Sequence, residues 1–338
     1  MNEPALPSRS AGIERSVRIS AWCVALLLAF YLTGLRVELN LIYPAASIES
    51  CMAHTALAPY QYRILVPAFL GALYDVGLLS RAWLEPREAG MIVEVLALLG
   101  VYACLRAGLR DLGARAAAMS IVALSVFFLL PFQYLLARAA PYWYVWDAPA
   151  VMFFAWGMWC LRQRRFHLYY PLFVLATFNK ETTIFLTVIH LLTGFGRTSK
   201  RALFMHVTAQ VVLWLAIKSG LALVFSGQVG AGMLPVVLEH NLVSLRTPST
   251  LLLVASSFGF LWIPVLLLRK KIEDEFLRRA VLVIPPYFAG AMLSGEITEL
   301  RIYSELTPLI VLALYALVAR ADLRDPGVLE SSGGTTRA

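Results

Sequence analysis

Apolar residues along this chain come in blocks rather than in alternation. Ile19 to Leu35, Ala116 to Leu136, Leu251 to Leu268 and Thr307 to Ala319 are nearly unbroken, and short clusters of Arg and Lys separate such blocks. A helix needs about 20 such residues to cross the roughly 30 Å hydrocarbon layer, and fewer when neighbouring helices bury its ends. Half-buried strands would instead alternate with a period of two. The pattern predicts an all-α fold, a polytopic transmembrane helical bundle. Its eight spans fall at about 19–35, 89–105, 116–136, 147–161, 202–225, 249–268, 280–293 and 305–319.

Two stretches break this count. Phe166 to Gly196 is flanked by basic clusters on both sides, so it starts and ends on one face. As one straight helix it would be about 46 Å long, yet it is too short for two full spans. A short membrane-embedded hairpin, with Asn179-Lys180-Glu181 near its tip, fits both constraints. Tyr62 to Leu79 is apolar enough to span but carries Arg63 and Asp75. Making it a span would invert the charge pattern downstream, so an embedded or interface-lying segment on the outer side is expected.

Charge sets the orientation. Lys and Arg accumulate in short cytoplasmic loops, whereas acids contribute little to topology. The clusters at Arg9/Arg15/Arg18, Arg106/Arg110/Arg115, Arg162/Arg164/Arg165, Arg197/Lys200/Arg201, Arg269 to Arg279 and Arg320/Arg324 all fall on one side of the predicted spans. Residues 1–18 are then a cytoplasmic tail, 19–320 a single transmembrane domain, and 321–338 a polar cytoplasmic tail. The outer segments are 36–88, 137–146, 226–248 and 294–304. Both termini lie in the cytoplasm of a multi-pass protein, expected in a bacterial inner membrane.

Composition agrees with this picture. Apolar residues make up 59% of the 338 and charged residues 15%, with a mean hydropathy of +0.71. A soluble domain carries about 25% charged residues. The net charge of +8 follows from topology, so no nucleic-acid partner is implied. Cys23, Cys51, Cys104 and Cys160 are dispersed and show neither a disulfide framework nor metal-site spacing. The first block has no small-residue cleavage pattern soon after Leu35 and reads as an uncleaved first span.

More than half of the 21 acidic residues fall on the outer half or within the membrane. Insertion does not require them there, which points to function. Four clusters stand out. The first outer segment holds Glu38, Glu49 and His54, then Pro59-Tyr60-Gln61-Tyr62-Arg63-Ile64-Leu65-Val66-Pro67. It is either an interface anchor or a site where Arg63 holds a lipid phosphate. Pro141 to Asp147 supplies an aromatic belt that ends in Asp147, a helix cap or a functional acid. Asn179-Lys180-Glu181 places two ionisable residues in an apolar block, where such residues pair or line a polar cavity. Gly295 to Pro308 carries Glu296, Glu299, Arg301, Tyr303 and Glu305; an Arg301–Glu305 salt bridge at i,i+4 is the plain alternative to a site.

This layout resembles the GT-C superfamily of membrane glycosyltransferases, which use polyprenyl-phosphate-linked sugars. The resemblance rests on the acid-bearing first outer segment, Tyr-Gln-Tyr-Arg-Ile-Leu-Val-Pro at 60–67, Asn-Lys-Glu-Thr at 179–182 and Glu-Leu-Arg-Ile-Tyr-Ser-Glu-Leu-Thr-Pro before the last span. It covers most of 19–320, with Glu38 and Glu49 where many members carry a pair of aspartates. It implies a GT-C-like bundle and transfer of a sugar from a lipid-linked donor to a glycan, glycolipid or protein acceptor at the outer face, among membrane lipids. In that scheme Glu49, Asp147 or Glu38 is the catalytic base. Arg63, Lys180 and Arg301 bind phosphate, with Tyr62, Glu181, Glu299 and Tyr303 beside them as substrate-binding residues.

No cofactor is evident. The five histidines show no ligand spacing, although a carboxylate-held divalent metal stays open. A Gly-rich phosphate loop is lacking, which suits a lipid-borne donor. Two other classes remain: a transporter or flippase for a lipid-linked or anionic solute, and a non-catalytic assembly subunit. For the topology, cysteines introduced into 36–58 and 226–248 are expected to react with a membrane-impermeant reagent from the same, outer face. Labelling from opposite faces would overturn the orientation.

Overall fold

The computed structural model describes residues 9–136, 141–227, 229–230 and 236–322. Among these no strands form, only isolated bridges pairing Leu41 with Tyr142 and Ala58 with Gly230. The helices that matter here are α1 (Arg9–Leu39), α2 (Leu65–Asp75), α3 (Pro86–Asp111), α4 (Ala116–Tyr134), α5 (Asp147–Arg162), α6 (Phe166–Asn179), α7 (Ile184–Gly194), α8 (Lys200–Val224), α9 (Leu238–Leu245), α10 (Pro248–Ala255), α11 (Trp262–Leu267), α12 (Glu275–Ser294) and α13 (Leu300–Ala319).

Six of these are long and apolar enough to cross a membrane: Glu14–Leu39 within α1, then α3, α4, α8, α12 and α13. Among the other expected spans, 147–161 forms the 16-residue α5, about 24 Å long and short of the hydrocarbon thickness. The block at 249–268 is not one helix. It breaks between α10 and α11 where Phe258 and Gly259 turn left-handed, at φ 57° and 59°. Hydropathy is blind to such a break. The segment at 62–79 contains only the 11-residue α2.

Exposure is inverted relative to a soluble protein. Leu27, Phe204, Leu223 and Leu267 are exposed on the outside, while Arg36, Glu94, Asp147 and Lys218 are fully buried. An apolar exterior of this extent needs a lipid environment or a partner. The inner core is built from small and branched side chains of α1, α3, α4, α5 and α13, among them Ala25, Ala29, Leu98, Val101, Val126, Val151 and Ile310.

Residues 166–194 fold back on themselves. Arg164, just before α6, donates to the Arg197 carbonyl just after α7 (3.4 Å), and the Phe166 and His190 rings lie 5.4 Å apart. The turn between the arms sits at Lys180, whose backbone is extended (φ −158°, ψ 144°). Its broken helix bonds are satisfied locally: Lys180 N donates to Ala176 O (2.8 Å) and Thr183 Oγ1 to Lys180 O (2.9 Å). Asn179 Nδ2 ties the tip to Trp146 O (2.9 Å). Non-helical backbone at membrane depth is tolerated where protein surrounds it in this way.

Helix α8 docks on the hairpin through a polar stripe. His206, Gln210, Trp214 and Lys218 recur every four residues and so share one face. His206 Nδ1 lies 2.7 Å from Tyr170 Oη, Gln210 meets Tyr169 (3.1 Å) and His190 (2.7 Å), and Trp214 Nε1 donates to Glu181 O (2.9 Å). In lipid, where apolar faces gain little from one another, such bonds help select the docking face.

The ends of the bundle differ. At one, Asp111 accepts from Trp159 Nε1 (2.9 Å), Arg162 pairs with Asp274 (2.7 Å) and Arg197 with Glu275 (3.4 Å). Charges at the other end are sunk into the protein. In the segment between α1 and α2, burial pushes the Cys51 thiol up to about 12.

Candidate functional site

Asp147 opens α5, and its carboxylate is fully buried. The chain before it is aligned on the end of α1: Leu41 N donates to Pro141 O (2.8 Å) and Trp143 N to Leu41 O (3.0 Å). Three cations from three other elements converge on Asp147. Arg36 of α1 lies at 3.6 Å, Lys180 of the hairpin tip at 3.4 Å and Arg301 of α13 at 3.5 Å. Each cation also holds a second acid. Arg36 pairs with Glu94 of α3 at 2.6 Å, Lys180 with Glu305 at 2.8 Å, and Arg301 with Glu299. Glu94 also accepts from Trp143 Nε1 (2.6 Å) and Glu305 from Thr182 Oγ1 (3.0 Å). The Arg36 guanidinium lies 3.6 Å over the Tyr134 ring.

Buried ions of this kind are costly to desolvate and hold only when compensated on every side. The alternation of acid and base provides that compensation. Orphaned atoms remain at its edge, including Arg301 Nε and Glu305 Oε2.

Beside this network opens a cavity of about 580 Å³. It is lined by Arg63, Lys180 and Arg301 with Glu181, Glu296 and Glu299, and by apolar side chains that include Ile184, Phe185, Ala291, Leu293 and Ile302. Arg63 reaches it from the turn before α2 and clasps Glu181 with two nitrogens, at 2.5 and 3.2 Å. Burial opposes the charge on Arg63, but the Glu181 carboxylate more than offsets it and raises the guanidinium above its usual range. An aromatic stack backs both arginines. Tyr60 and Tyr144 are 5.4 Å apart at 13°, and Tyr144 and Trp146 4.9 Å apart at 21°. Arg301 lies 4.2 Å over Tyr144, and Arg63 5.6 Å over Tyr60.

Of the residues singled out in the sequence, Arg63, Lys180, Glu181, Glu299 and Arg301 meet in this cavity. The others do not. Asp147 lies behind its three cations and does not line the cavity. Glu38 is exposed at the end of α1. Glu49 is exposed beside Arg87, Trp143 and Tyr144 in a separate depression of about 30 Å³. Tyr62 packs with Ala58, Leu221 and Phe225, and Tyr303 is buried against Phe288 at 4.4 Å. None of these is placed to touch a ligand in the cavity. The Arg301–Glu305 pair considered in the sequence is also replaced, since Arg301 takes Glu299 and Asp147 while Glu305 takes Lys180.

Tyr60 and Glu296, which belong to two of the sequence clusters, also line the cavity, whereas Arg36, Glu94 and Lys218 did not stand out as site residues in the sequence. Glu94 and Lys218 had a readable signal, an ionisable residue inside an apolar block. Among the described residues, no group of three or more His, Cys, Asp or Glu is arranged to hold a metal ion. No protein-family model matches the chain, and no curated protein or solved structure matches it either.

Replacing Asp147 by Asn leaves Lys180, Arg301 and Arg36 facing one another without their shared anion. The expected cost is about 3–5 kcal/mol, the range for breaking a buried ion pair. Thermal unfolding of Asp147→Asn in detergent should show a large drop in midpoint. A midpoint equal to that of the wild type would remove Asp147 from the centre of the network.

Proposed function

We propose that this protein is a membrane glycosyltransferase of the GT-C type that takes a sugar from a polyprenyl-phosphate-linked donor and passes it to an envelope glycan, glycolipid or protein acceptor at the outer face. The observation that carries this reading is one cavity lined by both cations and apolar side chains. A lipid-linked sugar phosphate combines the same two characters. Its phosphate suits the forked donors of Arg63 and Arg301 and the point charge of Lys180, and its first isoprene units suit the wall of Ile184, Phe185 and Leu293. A volume of about 580 Å³ lies within the roughly 300–1,000 Å³ typical of small-molecule sites.

The chemistry asks for two things. A hydroxyl near neutral pH must lose its proton as it attacks the anomeric carbon, so a carboxylate has to accept that proton. The departing polyprenyl phosphate gains a negative charge, which preorganised cations stabilise without protonation. Cavity-lining carboxylates and the three cations supply both. The basic clusters orient the chain so that this end faces away from the cytoplasm of a bacterial inner membrane.

A transporter or flippase for an anionic solute is the second reading. It is favoured by the broken hairpin, because transporters often bind ligands where discontinuous helices expose charge near mid-membrane. One comparison separates the two. Envelope glycans and glycolipids are profiled in cells expressing wild type, Arg63→Ala or Lys180→Ala at matched membrane levels. The glycosyltransferase reading expects at least a tenfold loss of one glycosylated product in both variants, with its lipid-linked donor accumulating at the outer leaflet. Unchanged products would sink it, and accumulation of donor at the inner leaflet would favour the flippase.

A further inference from the structure

The cavity's two arginines are both already occupied by carboxylates of the chain itself, but the two occupants are held very differently. Glu181 is clasped by both Arg63 nitrogens, its carbonyl is fixed by Trp214, and the Lys218 amine lies within its electrostatic reach. Glu299 sits on the turn that begins at Gly295 and meets Arg301 through one nitrogen only; both carboxylates are partly exposed, Glu299 at 24% and Glu181 at 21%. On its inner side Arg301 is fixed by Asp147 at 3.5 Å and by the Tyr144 ring at 4.2 Å. Arg301 therefore keeps two contacts, to Asp147 and to Tyr144, when Glu299 leaves. Arg301 Nε, buried and without a partner, leaves the fork a further donor for an incoming anion.

Charge balance sharpens the point. The buried network and cavity wall hold five cations, Arg36, Arg63, Lys180, Lys218 and Arg301, against six acids, Glu94, Asp147, Glu181, Glu296, Glu299 and Glu305. Both cavity arginines already face a carboxylate, so a phosphate that takes an arginine must exchange with an anion already present. Of the two carboxylates on the arginines, Glu299 is held by one nitrogen and Glu181 by two.

We infer that Glu299 is both a placeholder and the catalytic base: the donor phosphate displaces it from Arg301, and the released carboxylate then accepts the proton of the acceptor hydroxyl. This rests on the glycosyl-transfer reading and adds an order to it, donor before acceptor. In the transfer step the bond from the anomeric carbon to the phosphate oxygen breaks, and its electron pair stays on the phosphate. The acceptor oxygen forms the new bond to that carbon, and its proton goes to Glu299. The extra negative charge on the leaving phosphate is met by Arg63, Lys180 and Arg301.

The test uses the full-length protein in nanodiscs with farnesyl phosphate as probe and inorganic phosphate as the parallel arm. Carboxylates are modified with a water-soluble carbodiimide and an amine, and the sites are mapped by peptide mass spectrometry. Saturating farnesyl phosphate should raise modification of Glu299 several-fold while leaving Glu181 unchanged. Glu299→Gln and Glu299→Ala, which lack the competing anion, should bind the probe about 3- to 10-fold more tightly, up to about 1.4 kcal/mol. A merely structural Glu299 would give the opposite, weaker binding. Probe binding to wild type without a change at Glu299, or variants that bind no tighter, overturns the exchange and leaves the donor reading intact. No probe binding to wild type sinks both. An equal response to inorganic phosphate at the same concentration would overturn the lipid-borne donor.

Discussion

A fully buried carboxylate that faces three cations governs this molecule. In such surroundings Asp147 and its partners are stable only as a set, because each charge left unpaired would be far more costly than the pairing gains. The set joins α1, α3, α5, the hairpin tip and α13, elements distant in sequence. Ion pairing here does for this end of the bundle what apolar interdigitation does for its core. It also fixes where three cations stand, and two of them form the cavity wall.

Backbone irregularity serves the same end. A continuous helix through 166–194 would carry Lys180 past the network, and its side chain could not reach both Asp147 and Glu305. The extended residue at the tip turns the amine inward, and the Asn179 bond to the Trp146 carbonyl ties that turn to the segment preceding Asp147. On the far side the polar stripe of α8 holds the hairpin against the rest of the bundle. Rigid support on one face and an apolar wall on the other give a site whose cations are preorganised, the arrangement that stabilises developing negative charge most effectively.

Much of this was legible in the sequence, for identifiable reasons. Span-length apolar blocks announced a helical membrane protein because hydrocarbon thickness sets helix length. Arg63, Lys180 and Arg301 stood out because a charge beside or within such a block needs a reason to be there. Partner choice was not legible: Arg36 meets Glu94 across 58 positions, and nothing local in either block encodes that meeting. The acids of the first outer segment misled in the opposite way. Glu38 and Glu49 share a segment with Arg63, but proximity in sequence carries no distance to the cavity. The left-handed break at Phe258 and Gly259 escaped because a hydropathy window averages over it.

The account stands on the claim that the cationic wall of the cavity receives a lipid-borne phosphate. The most direct measurement is a cryo-electron microscopy structure of the full-length protein in nanodiscs with a polyprenyl phosphate bound. Density for the phosphate is predicted among Arg63, Lys180 and Arg301, with the first isoprene units along Ile184, Phe185 and Leu293. A lipid seated elsewhere, with Arg63 and Arg301 still clasping Glu181 and Glu299 in the occupied protein, would contradict it.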